Sequence, residues 1–307
     1  MKILITGGAG TLGSNVIERL NANQEVELIC IDNFKTGKRS NLSFFQEENI
    51  FEGSITDKLF LEKIFKDFSP DVVIHSAASY DDPDDFHRDA DVNILGSINL
   101  VTLCKKYKVK KVINFQTALC YGSPTEIPVP IDHLLKPFTS YGLSKTFGEA
   151  YMLNMGLPLI SLRLSNICSK NLSIGPIPTF YKRIKEGKSC FCSDSIRDFL
   201  DFDDFFELLE IILFKSDELG IFNVSTGEGK SILEIFNVVK DYLQKPHLEA
   251  PVKSVNDDDV AKMVLDPTLT FKTFGWKSKT SFEKTIQKQL EYYDETGIIE
   301  IYSHLKS

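Results

Sequence analysis

Lys2-Ile3-Leu4-Ile5-Thr6-Gly7-Gly8-Ala9-Gly10-Thr11-Leu12-Gly13-Ser14 joins a short apolar run to a glycine-rich turn and then to an amphipathic segment. The apolar run predicts a buried strand over Lys2–Thr6, and the pattern after the turn predicts a helix from Leu12 to about Leu20. Gly7, Gly10 and Gly13 suit a tight turn with positive φ, backbone approach to a pyrophosphate, and close packing of helix on strand. Gly10, Thr11, Leu12 and Gly13 then present the helix N-terminus, whose unpaired N–H groups and positive dipole end favour phosphate. A glycine turn carries this meaning only between a strand and a helix, and that is its place here.

The pattern continues outward. A second strand over Glu27–Ile31 ends at Asp32-Asn33, where a carboxylate accepts the ribose hydroxyls of NAD and repels a 2′-phosphate. Lys35, Lys38 and Arg39 leave room for NADP, but the position of Asp32 favours NAD. Ile50–Glu52 reads as a third strand leading into Gly53-Ser54-Ile55, and 57–67 as a helix. Asp71–His75 is a fourth strand, with His75 expected to be a satisfied strand-end histidine. The small residues Ser76-Ala77-Ala78 after it let a flat cofactor lie against the backbone. The loop from Tyr80 to Asp85, with its four Asp, reads as solvated rather than as a metal site. A helix is expected from about His87 to Tyr107, with Asn93 facing the site. Lys111–Gln116 is a fifth strand that delivers the Thr117 hydroxyl to a crevice, the usual ligand position in such sheets. Leu159–Leu164 is a sixth.

Strands alternating with helices predict an α/β fold, a Rossmann-type doubly wound parallel sheet with right-handed crossovers. The expected division is a dinucleotide domain over 1–165 and a smaller C-terminal substrate lobe over 166–307, from which 196–228 returns to the first domain. In that lobe Ser231 is expected to cap a helix running to about Leu243. Another helix is expected from about Ser281 to Tyr293.

Within the helix that follows Thr139-Ser140, Tyr141 and Lys145 stand four residues apart and share a face. An ammonium near a phenol lowers its pKa, so that a tyrosinate becomes available to take a proton from a sugar hydroxyl. Leu143, Phe147, Ala150 and Tyr151 read as the apolar stripe that buries this helix.

The 307 residues, 42% of them apolar, describe a globular chain with one or two domains. A net charge of −8 without a basic run argues against nucleic acid as a partner. No apolar run reaches the roughly 18 residues of a membrane span, and no signal-peptide pattern precedes the first strand, so a cytoplasmic protein is expected. The six cysteines read as reduced core thiols, and no metal site is expected.

Thr6-Gly-Gly-Ala-Gly-Thr-Leu-Gly13, Asp32-Asn33, His75-Ser-Ala-Ala78, Thr117-Ala-Leu-Cys-Tyr-Gly122 and Tyr141-Gly-Leu-Ser-Lys145 occur in this order. Together they resemble the extended short-chain dehydrogenase/reductases, in particular the NAD-dependent nucleotide-sugar epimerase/dehydratase family. The Thr117–Gly122 segment and the tail are similar to sugar epimerases of bacterial surface-polysaccharide clusters. The resemblance implies bound NAD and a catalytic set of Thr117, Tyr141 as base, and Lys145 as its pKa partner and holder of the nicotinamide ribose. It implies that Asn166, in Arg163-Leu-Ser-Asn166, and Arg197, in Arg197-Asp198-Phe199, contact a nucleotide diphosphate. An alternative for Arg197 is an ion pair with Asp198 or Asp201. Ser54, with Ile55 beside it, stands where the family commonly has an Asp at the adenine. Cys168-Ser169-Lys170 replaces the usual Gly-Pro-Arg, and no Arg appears around Asn256–Asp259.

The expected activity is 4-epimerisation of a nucleotide sugar through a transient 4-keto sugar. A 4,6-dehydratase or other 4-keto oxidoreductase is an alternative, disfavoured because Ala118 and Leu119 lack the acidic pair that dehydratases carry after the Thr. A non-catalytic NAD-sensing regulator is a third reading, disfavoured because both Tyr141 and Lys145 are present. A homodimer is expected, since the helices around Val92–Tyr107 and Tyr141–Met152 carry apolar residues beyond one face and relatives pair through them.

Overall fold

The computed structural model describes residues 1–255, 259–298 and 301. They group into two compact units. The first comprises Met1–Cys120, Pro137–Arg163 and Glu218–Phe222. The second comprises Tyr121–Lys136, Leu164–Asp217 and the chain from Asn223 onward.

The first unit is built on strands β1 (Lys2–Thr6), β2 (Glu27–Asp32), β3 (Ile50–Glu52), β4 (Val72–His75), β5 (Lys111–Thr117) and β6 (Leu159–Leu164). With Gly220–Val224 they form a seven-stranded sheet in the order β3-β2-β1-β4-β5-β6-(Gly220–Val224). The pairings from β3 through β2, β1 and β4 to β5 are all parallel. The chain order therefore reverses between β1 and β4, the switch point outside which α/β sheets bind ligands. Ile3, Leu4 and Ile5 are fully buried, as strands covered on both faces require. Leu61, Ile64, Phe65, Leu100, Val101 and Cys104, from the helices Lys58–Phe68 and Ser97–Lys106, pack on Leu4, Val73 and Val112. Each such side chain contributes roughly 1.5–3 kcal/mol through its removal from water.

The single helix expected over His87–Tyr107 is an α-turn at Phe86–Asp89, a π-helical stretch at Ala90–Gly96, and an α-helix at Ser97–Lys106. π-turns cost regular hydrogen bonding and need tertiary support. That support comes from the helix Ser140–Asn154, which packs against the stretch. At Gly148 a Cβ would lie 2.3 Å from the Asn93 carbonyl oxygen, so only glycine admits this approach.

The second unit has its own core. Ile177, Phe180, Tyr181 and Ile184 line one face of the helix Pro176–Lys185. They pack with Ile235, Phe236 and Val239 of Ile232–Tyr242 and with Ile286 and Leu290 of Phe282–Thr296. Ser231 caps its helix through a reciprocal capping box with Glu234. A strand at Phe199–Asp201 pairs in parallel with Asn166–Cys168.

Candidate active site

Thr117 ends β5, and a 3₁₀ turn over Ala118–Tyr121 follows it. Its hydroxyl oxygen accepts the Leu119 N–H at 3.2 Å. Tyr141 lies in the first turn of Ser140–Asn154, a helix that begins where Thr139 accepts the Gly142 N–H at 3.1 Å. The Thr117 hydroxyl is the neighbour that favours the charged form of the Tyr141 phenol. Lys145 is one turn on and buried, and its ammonium donates to the Phe115 carbonyl at 2.8 Å. Gln116 ties β5 to the same helix by donating to the Lys145 carbonyl at 2.9 Å. Thr117, Tyr141 and Lys145 are thus brought together.

In the protein alone, burial dominates the electrostatics of both Tyr141 and Lys145. Burial holds the Tyr141 phenol well above its ordinary range, Tyr80 and Asp89 push the same way, and the Thr117 hydroxyl opposes them. Burial pulls the Lys145 ammonium down to about 8, partly countered by the Glu149 carboxylate one turn further on. Loss of water penalises the charged forms of both groups.

The supporting groups lie on the same helix. Glu149 accepts Arg163 Nη2 at 2.8 Å and the Ser161 hydroxyl at 2.5 Å, both in the interior. Ser140 donates to the buried Asp89 carboxylate at 2.7 Å. The stripe expected to bury the helix faces the other way: Phe147 is 54% and Tyr151 50% exposed, whereas Ser144, Lys145, Gly148 and Glu149 are buried. His75 is fully buried between the Thr6 hydroxyl (2.8 Å) and the Ser97 hydroxyl (2.9 Å). Burial depresses it to about 3, so it stays neutral and structural.

The glycine turn fits a dinucleotide. Gly7 has φ +71°, and a Cβ there would lie 2.6 Å from the Ala77 backbone nitrogen, so the turns after β1 and β4 touch. Ala78 follows in the same small-residue turn. Gly10 precedes the helix Thr11–Leu20, which contains Leu12 and Gly13 and starts without a side-chain cap. Asp32 accepts backbone N–H groups from Ala9 and Phe34, each at 2.8 Å. A carboxylate offers about four acceptor positions, so capacity for ribose hydroxyls remains. The Asn33 side chain accepts the Lys35 N–H at 3.1 Å, closing the turn after β2. Arg39 is engaged by Glu47 and Glu52 and sits over the Phe34 ring, so it is not held ready for a 2′-phosphate. Ser54 bonds Thr56 at 2.8 Å, and Ile55 is buried.

Asn93 does not face the site. Its amide donates to the Ser79 carbonyl and the Ser144 hydroxyl, each at 2.9 Å, and accepts the Ser79 N–H at 2.8 Å. The π-helical turn draws it inward, a feature that α-helical periodicity does not convey. Asn166 and Arg197 lie in the second unit. The Asn166 amide donates to the Asp198 carbonyl at 2.9 Å and remains exposed. Arg197 pairs with Asp259 at 2.6 Å rather than with Asp198 or Asp201, and burial lowers its pKa from the usual value. Asp198 instead accepts the Thr226 hydroxyl and the Gly227 N–H, and Asp201 holds Lys288. Asn256, Asp257 and Asp258, part of the stretch without the expected Arg, lie outside the described residues.

Residues 3–225 match the model of a family described as the NAD dependent epimerase/dehydratase family. The chain belongs to that family. The enzyme WbmG of Bordetella bronchiseptica, solved in complex with NAD, is 51% identical and superposes with a TM-score of 0.93 over 100% of this chain and 98% of that one. WbmG has also been solved with NAD and UDP. UDP-glucose 4-epimerase of Thermotoga maritima, solved with UDP-glucose, is 30% identical with a TM-score of 0.87, covering 96% of this chain and 99% of that one. UDP-glucose 4-epimerase of Lactobacillus helveticus is 27% identical over 311 residues, 91% of this chain and 92% of its own. The cofactor of this epimerase/dehydratase family member is NAD.

Sequence reasoning missed three partners of the candidate residues. Glu149 stands four residues after Lys145, so helical spacing signals it. Asp259 meets Arg197 across 62 residues, and Tyr80 packs edge-on to Tyr141 with ring centroids 6.3 Å apart. Neither has a local signal.

Proposed function

We propose that this chain is an NAD-dependent nucleotide-sugar 4-epimerase acting on a UDP-sugar, with Thr117, Tyr141 and Lys145 as its catalytic residues. The observation that carries the reading is the Thr117-Ala118-Leu119 sequence beside Tyr141: a hydroxyl acceptor is present, and no carboxyl group follows it for proton transfer at C5. Tyr141 takes the proton of the 4-hydroxyl and later gives it back. Thr117 holds the sugar oxygen beside the phenol. Lys145 keeps a positive group beneath the site and binds the nicotinamide ribose. NAD, when bound, accepts the C4 hydride and returns it to the other face of the ring. In the protein alone, burial raises the phenol.

The first unit carries NAD through Gly7, Gly10, Thr11, Leu12, Gly13, Asp32, Asn33, Ser54, Ile55, Ala77 and Ala78. In the second, Asn166 and Arg197 meet the diphosphate, which takes the place of Asp259 on the guanidinium. The outward Phe147 and Tyr151, with Leu95 on the neighbouring helix, pair two copies in a dimer. Six buried free thiols suit a reducing cytoplasm. The resemblance of the Thr117–Gly122 segment to surface-polysaccharide epimerases supports a role in building such polymers.

The test is turnover of a panel of UDP-sugars, UDP-glucose first, in heavy water followed by NMR. A 4-epimerase returns the original hydrogen to C4, so its product carries no carbon-bound deuterium. Deuterium at C5 would mark a dehydratase and overturn the assignment.

A further inference from the structure

Different parts of the first unit hold the helix Ser140–Asn154 at Lys145 and at Tyr141. At Lys145 the holder is β5. The Lys145 ammonium donates to the Phe115 carbonyl at 2.8 Å, and the Gln116 amide donates to the Lys145 carbonyl at 2.9 Å. At the first turn the holder is the segment 79–93. The Ser140 hydroxyl donates to Asp89 Oδ2 at 2.7 Å, and the Tyr141 ring stands edge-on to Tyr80 with centroids 6.3 Å apart. The Asn93 amide donates to the Ser144 hydroxyl at 2.9 Å. Asp89, Asn93, Ser140 and Ser144 are each more than nine-tenths buried.

The acidic run, which composition alone reads as a solvated loop, builds this holder. Asp85 caps the turn Phe86–Asp89 by accepting the Arg88 N–H at 3.0 Å. Arg88 in turn pairs with Asp81 at 2.8 Å, largely shielded from water. Asn93 fixes Ser79 at both its N–H and its carbonyl. Asp89 ends the braced turn and gives one carboxylate oxygen to Ser140. A buried carboxylate is costly and persists where hydrogen bonds offset its desolvation. A bond to an ionised acceptor is roughly twice as strong as a neutral one. The first turn of a helix lacks intrahelical partners for its N–H groups and frays most readily. Tyr141 therefore depends on an outside hold more than Lys145 does.

We propose that Asp89 is a positioning residue for the reaction: acting through Ser140, it fixes the first turn of the helix so that the Tyr141 phenol stands at the reacting hydroxyl. The inference deepens the 4-epimerase reading and rests on it. Lys145, held by β5, keeps its place without Asp89. A misplacement of about 1 Å at a reacting group costs on the order of a hundredfold in rate, so loss of the Asp89–Ser140 bond acts on kcat and leaves NAD bound.

Asp89→Ala and Ser140→Ala remove the bond from either side, whereas Asp89→Asn removes the charge and keeps an oxygen that accepts from Ser140. On the UDP-sugar that the wild type converts, kcat is expected to fall roughly thirtyfold in both alanine variants, with KM changed by less than about twofold and NAD content as in the wild type. The double variant is expected to be no slower than the poorer single, because both remove the same bond. Asp89→Asn is expected to recover kcat to within about fivefold of wild type, a neutral bond replacing a charged one. Wild-type kcat in Ser140→Ala overturns the proposal, and so does an Asp89→Asn as slow as Asp89→Ala. A second arm needs no sugar and follows the ring Cζ resonance of Tyr141 in NAD-loaded protein labelled at tyrosine Cζ, assigned by its disappearance in Tyr141→Phe. A displaced or multiple signal in the alanine variants, with a single signal in the wild type and in Asp89→Asn, supports the positioning role; a wild-type signal in both alanine variants overturns it. Ser140→Ala removes only a hydroxyl, so both arms remain readable if Asp89→Ala does not fold. A wild type that epimerises no UDP-sugar defeats the activity reading alone, and the resonance still decides the role of Asp89.

Discussion

The two faces of the helix Ser140–Asn154 invert the usual rule. Its inner face buries Ser144, Lys145 and Glu149, and its outer face exposes Phe147 and Tyr151. Burial of Lys145 and Glu149 is costly, and it persists because each polar group is matched: Lys145 to the Phe115 carbonyl, Glu149 to Arg163 and Ser161. The outer face costs little in the fold itself, but large apolar side chains in water call for a partner surface. On the proposed reading, chemistry sits on the side where stability is spent, and the dimer contact on the side where stability is still to be gained.

Tyr141→Phe breaks the inner face at its reactive atom. Turnover is expected to fall by about a thousandfold, within the range of lost general acid–base catalysis, while NAD stays bound. A coupled epimerase assay together with the absorbance of retained NAD reads both. Full activity in this variant would remove Tyr141 as the base.

Lys145→Met sharpens the contrast, because activity and stability should move in opposite directions. Activity is expected to fall by roughly a hundredfold. The folded-state pKa of Lys145 is depressed to about 8 from 10.5. Its contribution to stability is therefore intact above pH 10.5 and is lost as pH falls toward 8. Below pH 8 the buried ammonium costs on the order of 1–3 kcal/mol, offset in part by the Phe115 bond. Urea unfolding of the NAD-free variant at pH 7 should accordingly show higher stability than wild type, with the difference shrinking toward pH 10.5. A destabilised variant at pH 7 would mean that the Phe115 bond outweighs desolvation.

The outer face is probed by Phe147→Glu combined with Tyr151→Glu. Sedimentation at micromolar concentration is expected to show a dimer for the wild type and a monomer for this variant, with unfolding stability of the single chain changed by less than about 0.5 kcal/mol, as for exposed positions generally. An unchanged sedimentation coefficient would place the subunit contact elsewhere or deny it.

The amino-acid sequence by itself determined the sheet, the glycine turn, Asp32 at the end of β2, and the Tyr141–Lys145 spacing. All of these depend on neighbours a few residues apart, where strand and helix periods act directly. It misjudged the helix Ser140–Asn154, because periodicity shows that a helix has two faces and not which of them the protein covers. Tertiary structure alone decided that Lys145 and Glu149 go inside, that Asn93 turns inward on a π-helical stretch against Gly148, and that Arg197 takes Asp259 as partner. It alone decided that burial raises the Tyr141 phenol and that Tyr80 packs edge-on to Tyr141. Desolvation and long-range pairing depend on which distant segments meet, and no local spacing records that.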